Sequence, residues 1–571
     1  MPIYVTVQWD QFTADEHPEW RQVTAEGALQ GTPPYEAGFY RLLCLNSPYV
    51  AFLEEHLRDL FEAVPVDGLF LDIVKPQDCS CPRCRRAMVE KGLDPAQPAA
   101  RLAFGREVMG GFVRDLTTFI RTLSADCTVF YNGGHVDPGL RAILPAYTHL
   151  ELESLPSGGW GYLHFPLTVR YARTLGVDCL GMTGKFHTSW GDFHSYKNRA
   201  ALEFECFQML AQGARCSVGD QLHPSGRLDA ATYELIGGVY ARVEEKEPWC
   251  RSARPMTEIG VFSPEEFTVG RHNPAALGVT RLLQEGRHQF DVIDTAGDFS
   301  RYRVLVLPDS IPVGPALARR LEEYVAGGGA LLASHRSGLD EEQGAFALPS
   351  LGIRLVGEAP ASPDFLQPRE GFGRGLPRTE HVMYLRGLEV AAQEGTEVLA
   401  DVLVPYFNRA WDHFVSHRHT PSSGRVGYPG IVQRGRVVYF AHPVFTQYSR
   451  NAPRWCKTFV LDALDRLLPD PLVRVDGPST LVATVTAQPA ERRWIVHLLH
   501  YVPERRGQDF DVLEDVIPLF DLKVSLKTGW EVEEALLVPQ GKRLRFVDRG
   551  GRVELVVPRL DGHQMVALRF W

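Results

Sequence analysis

The feature that most constrains this fold is a rhythm over the first 250 or so residues, where short β-branched or aromatic runs alternate with longer amphipathic stretches. The runs are Ile3 to Val7, Leu69 to Val74, Thr128 to Asn132, His149 to Ser154, Cys179 to Thr183 and Cys216 to Asp220. Helical patterns such as Ser47 to Phe61 lie between them, and polar residues stand just past their ends. That pattern predicts a (β/α)8-type barrel over residues 1–253, whose chemistry is built at the C-terminal ends of its strands. Six runs are present where a closed barrel needs about eight strands, and the first begins at residue 3. The barrel is therefore expected to lack its first two βα units. Either the start was assigned too late, or the barrel is open or completed by a partner.

Residues 254–470 read as a smaller doubly wound parallel sheet, with strands at Thr257 to Phe262, Phe290 to Asp294, Val304 to Leu307, Ala330 to Ala333 and Arg436 to Phe440. An irregular insertion is expected around 340–430. From 471 to 571 the runs shorten and alternate, for example Trp494 to Leu499 and Val553 to Val557, as in a small β-sandwich. Three domains suit 571 residues with 44% hydrophobic content.

The balance of 60 basic against 70 acidic residues gives no positive field for a polyanion, so nucleic acid is excluded as a partner. No apolar window approaches membrane-span length, and the chain opens directly into strand-like sequence, so a cytoplasmic location is expected. Of the ten cysteines, three fall in Cys79-Ser-Cys81-Pro-Arg-Cys84. That spacing places three thiolates on one tight loop, and Cys44, before a helical stretch, is the natural fourth ligand. The cluster is either a structural zinc site or a set of reduced thiols bracing the loop. Four thiolates would leave no open position for catalysis.

Candidate site residues follow from the strand ends. They are Trp9 and Asp10, Asp72, Asn132, Glu151 and Glu153, His164, His187, Trp190 and Asp192, and Asp220 with His223. Acids mixed with tryptophan and histidine suit a sugar, whose apolar faces pack on aromatic rings while carboxylates bind hydroxyls or attack the anomeric carbon. Asp72 ends the otherwise apolar run Gly68-Leu-Phe-Leu-Asp72, where a carboxylate is costly unless it is paired or functional. Capping of the next helix or pairing with Lys75 is the structural alternative. In Leu150-Glu-Leu-Glu153 the period of two puts both glutamates on one face, with Glu153 nearer the active end; a structural ion pair is the alternative. No P-loop or dinucleotide fingerprint is present.

Cys44-Leu-Asn-Ser-Pro-Tyr49, a strand ending in an acid, and then Cys79-Ser-Cys81-Pro-Arg-Cys84 resemble the zinc-holding cysteines of family 42 β-galactosidases. The domain order resembles theirs too: barrel, flavodoxin-like trimerisation domain similar to class I glutamine amidotransferases, and small C-terminal β-domain. The chain departs from them at the catalytic glutamates, since the corresponding stretches read Leu71-Asp72-Ile-Val74 and Leu180-Gly-Met-Thr-Gly184. Glu151-Leu-Glu-Ser-Leu-Pro-Ser-Gly-Gly-Trp160-Gly, Gly181-Met-Thr-Gly-Lys-Phe-His187-Thr-Ser-Trp190-Gly-Asp192 and Ser217-Val-Gly-Asp220-Gln-Leu-His223-Pro resemble more closely the hypothetical glycosyl hydrolases grouped with family 151 α-L-fucosidases. Asp72 resembles, in position, the nucleophile of retaining α-L-fucosidases. No cysteine occurs between Cys250 and Cys456, so the amidotransferase-like domain is expected to be scaffold.

The resemblance implies a retaining, exo-acting α-L-fucosidase-like hydrolase of small glycosides or oligosaccharide ends. It needs no catalytic cofactor and assembles as a homotrimer or homohexamer. Asp72 is its expected nucleophile and Glu153 its acid/base. A β-galactosidase-like or other exo-glycosidase, and a catalytically silent carbohydrate-binding or assembly protein, are the competing expectations.

Overall fold

The computed structural model describes residues 1–33, 36, 38, 40–268 and 272–571. They form two compact units, Met1–Glu153 with Leu175–Leu180, and Ser154–Thr174 with Gly181–Trp571.

In the first unit β1 (Pro2–Thr6), β2 (Gly68–Asp72) and β3 (Thr128–Asn132) pair in parallel, in that order. Their register sets Thr6, Asp72 and Asn132 side by side at the C-terminal ends. Alternation then decides the two faces. Val5, Leu69, Leu71, Val129 and Tyr131 turn to one side and pack with Leu53 and Leu57 of α2 (Tyr49–Ala63) and Val113, Leu116 and Ile120 of α4 (Pro98–Leu123). Each such buried side chain contributes roughly 1.5–3 kcal/mol. The opposite face carries Tyr4, Phe70 and Phe130, whose ring centroids stand 5.8 and 5.2 Å apart in succession, and then Asp72 and Asn132 one pleat on. The shorter helices α1 (Gln11–Glu16) and α3 (Pro82–Glu90) follow β1 and β2, and β4 (Leu150–Glu153) closes the unit's main segment.

Strand β5 (Cys179–Gly184) falls across the division of the chain. In the second unit it is continued beside β6 (Arg215–Gly219), where the Lys185 N–H donates to the Gly219 carbonyl at 3.0 Å. Helices α5 (His164–Ala172), α6 (Arg199–Ala211) and α7 (Ala230–Lys246) belong to this unit.

A nine-stranded sheet dominates the unit, and its parallel part runs in the order Val437–Phe440, Ala330–Ser334, Val304–Leu307, Ile259–Phe262, Phe290–Ile293. All five strands are buried on both faces and apolar except at Asp291 and Ser334, as a parallel sheet requires. The insertion expected to be irregular instead extends this sheet. Ser422–Arg434, Glu397–Pro405, Asp364–Pro368 and His381–Met383 add antiparallel strands with repeated register shifts, which break the alternation a sequence reading relies on.

The C-terminal region is two antiparallel sheets of six and four strands enclosing an apolar core of Leu481, Val485, Val496, Leu498, Val524, Val553 and Leu568 among others. Arg254–Pro255 forms an edge of the six-stranded sheet, a place where proline sacrifices no ladder bond.

The two compact units meet in the chain at 153/154, 174/175 and 180/181. Leu202, Phe204, Phe207 and Leu210 of α6 share a core with Leu499, Tyr501 and Leu513. Tyr171 and Arg173 hydrogen-bond Asp294 and Asp291 at 2.7 and 2.8 Å. The later part of the expected barrel is thus packed into the regions that follow it. Among the described residues no helix is long and apolar enough to cross a membrane.

Candidate active site and cysteine cluster

Asp72, Asn132 and Glu153 converge in the first unit. The Asn132 amide Nδ2 donates to Asp72 Oδ1 at 2.8 Å and to Glu153 Oε2 at 2.9 Å, while its Oδ1 accepts the Gly134 N–H at 2.9 Å. The last bond fixes which way the amide points, so both Nδ2 hydrogens face carboxylates. One nitrogen bonded to both acids holds their nearer oxygens less than about 6 Å apart, the sum of the two bonds.

The second oxygen of Asp72 accepts from the Tyr4 hydroxyl at 2.6 Å. Tyr4 is 60% exposed as a residue, yet burial of its hydroxyl end and the bond to the Asp72 carboxylate push the phenol well above its ordinary range, so it remains a donor. Directly after Asp72, Ile73 adopts a left-handed backbone with φ 57°, a conformation that a β-branched residue resists. Such strain persists only where the surroundings over-determine it, and it concentrates at functional sites.

Two other acids of this unit have structural partners. Asp10 caps α1, accepting from the Phe12 and Thr13 N–H groups and from the Thr13 hydroxyl. Glu151 shares the Glu153 face of β4 but accepts from His149 Nε2 at 3.1 Å. Trp9 lies with its ring 4.1 Å from that of Tyr40, and the Lys75 ammonium stands 5.6 Å over its face.

The remaining candidates lie in the second unit, on the segments following β5 and β6. Trp190 is 41% exposed, packs its ring edge where a Cβ at Gly219 would stand, and donates Nε1–H to Gln221 Oε1 at 2.9 Å. Asp220 lies 3.9 Å from the buried Lys185 ammonium and accepts from the Gln221 N–H. Asp192 accepts from the Thr188 hydroxyl at 2.7 Å; this bond first, and Ser195 second, hold its carboxyl below the usual range. His187 is half-buried. His223 is exposed and meets the Phe193 and His194 rings at 6.1 and 6.0 Å, with its Nδ1 accepting the Ser225 N–H. His164 is fully buried, with Nδ1 2.6 Å from the Ser154 hydroxyl, the environment of a packed histidine.

Sequence reading passed over Tyr4, although its alternation with Ile3 and Val5 signals that it faces the same side as Thr6. It also passed over Gln221, whose Oε1 accepts from the Trp190 indole.

Cys44, Cys79, Cys81 and Cys84 are all buried, and their four Sγ atoms lie within 4.8 Å of one another. Cys44 Sγ stands 3.5 Å from Cys84 Sγ and 3.9 Å from Cys81 Sγ. A tetrahedron with metal–sulfur bonds of about 2.3 Å has edges of about 3.8 Å. The sulfurs also accept N–H donors that suit thiolates: Gln77 Nε2 at 3.1 Å and Asn46 N at 3.4 Å to Cys44, and Cys84 N at 3.5 Å to Cys81.

Residues 1–73 match a family model described as hypothetical glycosyl hydrolase 6, and residues 281–352 one described as a β-galactosidase trimerisation domain. An α-L-fucosidase, isoenzyme 2 from Paenibacillus thiaminolyticus, is 39% identical over 100% of this chain and 87% of its own, with a TM-score of 0.95. The chain belongs to the glycosyl hydrolase family of that enzyme. This glycoside hydrolase shares its fold with β-galactosidases from Bacillus circulans sp. alkalophilus (15% identity, 98% of this chain and 87% of the other, TM-score 0.69) and from G. stearothermophilus (14%, 100% and 88%, 0.69). No curated protein matches the chain.

Proposed function

We propose that this glycoside hydrolase is a retaining, exo-acting α-L-fucosidase acting on small glycosides or oligosaccharide ends. The observation that carries the mechanism is the pair of bonds from Asn132 Nδ2 to Asp72 and Glu153. A carboxylate spacing of about 5–5.5 Å serves a covalent intermediate, whereas an inverting pair stands about 6.5–9.5 Å apart to admit a water. The relative 39% identical over the whole chain, an α-L-fucosidase by name, supports the sugar.

Asp72 attacks the anomeric carbon as the bond to the leaving oxygen breaks, and Glu153 delivers its proton to that oxygen. Glu153, now ionised, takes a proton from water. The hydroxide attacks the same carbon, and Asp72 departs as carboxylate. Asn132 and Tyr4 hold the two Asp72 oxygens in place. Trp9 supplies a sugar contact in this reading. Strands β1, β2 and β3 are consecutive strands of a (β/α)8-type barrel in this reading, supported by their parallel register and the polar residues past their ends. A panel of aryl glycosides tests the specificity: α-L-fucoside should turn over fastest, and preference for a β-D-galactoside would select the competing exo-glycosidase.

The four cysteines fit zinc by number, spacing and N–H···S bonds, and the site is proposed as structural. Elemental analysis should give about one zinc per chain, and Cys84→Ser should lose it with a stability loss of roughly 3 kcal/mol or more. Metal-free protein with four titratable thiols and unchanged stability would favour the reduced-thiol reading. None of the ten cysteines is paired in a disulfide, which supports a reducing, cytoplasmic compartment.

A homotrimer or homohexamer is proposed from the trimerisation match at 281–352 and from Tyr406, Trp411 and Phe414. Trp411 is 93% exposed, and three bare aromatic rings within nine residues mark a contact surface. Light scattering that returns the mass of one chain at micromolar concentration would contradict the assembly.

A further inference from the structure

Helix α5 and its C-cap carry two arginines into the interior of the second unit, Arg170 and Arg173. Arg173 has a counter-charge: its Nε lies 2.8 Å from Asp291 Oδ1, and Asp291 is also held by Arg301 at 2.8 Å. Arg170 is 3% exposed and, among the described residues, pairs with no acid. Its Nη1 donates to the Pro166 carbonyl at 2.8 Å and stands 3.5 Å from Gln284 Oε1, while the Phe290 ring covers the guanidinium at 4.1 Å. Its Nε–H is buried and meets no acceptor. Burial first, and the Arg173 charge second, disfavour the protonated form. A guanidinium nevertheless keeps its proton in proteins, so this charge is buried without a counter-ion.

The space beside it has the size of one small ion. A cavity of about 10 Å³, a single water-sized sphere, lies between Arg170, Gln212, Pro255, Phe290 and Thr484. Gln212, 1% exposed, presents a second unused donor there. Arg173 Nη1 donates to its Oε1 at 2.8 Å, which fixes the amide and leaves the buried Nε2 without an acceptor. Other donors of the wall are engaged: the Thr484 hydroxyl donates to the Ala211 carbonyl at 2.6 Å, and Gln289 Nε2 to the Arg287 and Ala483 carbonyls at 3.0 and 2.9 Å. Two buried donors on one wall, one of them part of an uncompensated cation, require an acceptor that carries negative charge. The volume admits a monatomic anion and excludes phosphate, sulfate and carboxylates.

We propose that this cavity is a binding site for one chloride ion, which accepts from Arg170 Nε–H and Gln212 Nε2–H and supplies the missing counter-charge. Its wall is drawn from α5, the C-cap of α6, the parallel-sheet strand Phe290–Ile293 and the β-sandwich strand Leu481–Gln488. The ion therefore ties together segments far apart in the chain, and its role is independent of which glycoside is cleaved.

The test is the melting temperature of the full chain as chloride replaces gluconate at constant ionic strength. The wild type should gain about 2–5 °C between about 1 and 300 mM chloride, and bromide should act alike. Sulfate, too large for the cavity, should give only the general salt effect that the variants share. Arg170→Met keeps the apolar stem and removes the charge, and should lose the halide dependence. Should Arg170→Met fail to fold, Gln212→Glu serves in its place: one carboxylate oxygen keeps the bond to Arg173 and the other takes the anion's position, so this variant should melt at the same temperature with and without halide. A crystal soaked in bromide should show an anomalous peak within hydrogen-bond reach of Arg170 Nε. A wild type that melts at one temperature throughout, variants that keep its halide response, or a soaked crystal with only a water in the cavity would each overturn the inference.

Discussion

Asp72→Asn should abolish hydrolysis, lowering kcat/KM by about 10^3-fold or more while the protein folds with an unchanged melting temperature. The substitution is nearly isosteric and the local network tolerates it. The amide oxygen still accepts from Asn132 Nδ2, and the Tyr4 hydroxyl can turn to accept from the new NH2 group. What is lost is the negative charge and the lone pair that form the glycosyl–enzyme bond, so the loss should be the same for every leaving group. A variant retaining a tenth or more of wild-type activity would remove Asp72 from the nucleophile's role.

Glu153→Gln should behave differently, and the difference identifies the acid/base. Loss of a positioned proton donor is expected to lower kcat/KM by about 10^2- to 10^4-fold on a saccharide, whose leaving oxygen needs the proton. On a 4-nitrophenyl glycoside, whose leaving group departs as the anion, the first step should suffer far less, and the second step, which needs the same residue as base, should become limiting. A burst of 4-nitrophenol followed by slow turnover is the expected record. A uniform loss across leaving groups, with no burst, would assign the proton transfer elsewhere. Glu151 shares the face of β4 but is engaged by His149.

Much of this site was legible because alternation in a strand is a strong constraint. Given that Leu69 and Leu71 face helices, Asp72 must face the other way, and the same period places Asn132 and Glu153 with it. Strand β3 is read to the residue, whereas the expected ends of β1 and β2 run one or two residues long. Ile73 explains the second case: its left-handed backbone takes the chain out of the ladder directly after the acid, which no residue preference predicts for isoleucine.

Asp10 has a structural partner that the sequence also signals. Asp10-Gln-Phe-Thr13 carries a helix-capping signature, and the carboxylate follows it. His164 reads as polar from sequence, but α5 is buried along its whole length, which only the packing of the second unit determines. The insertion after residue 340 escaped because bulges interrupt the period of two just where long antiparallel strands form.

The most direct test of the account is the anomer first released from an aryl α-L-fucoside by the wild-type enzyme, followed by 1H NMR before mutarotation mixes the products. The geometry of Asp72 and Glu153 around Asn132 predicts the α-anomer first, by net retention. First release of the β-anomer would show single displacement by water and contradict the covalent role of Asp72; no release from any α-L-fucoside would contradict the proposed substrate.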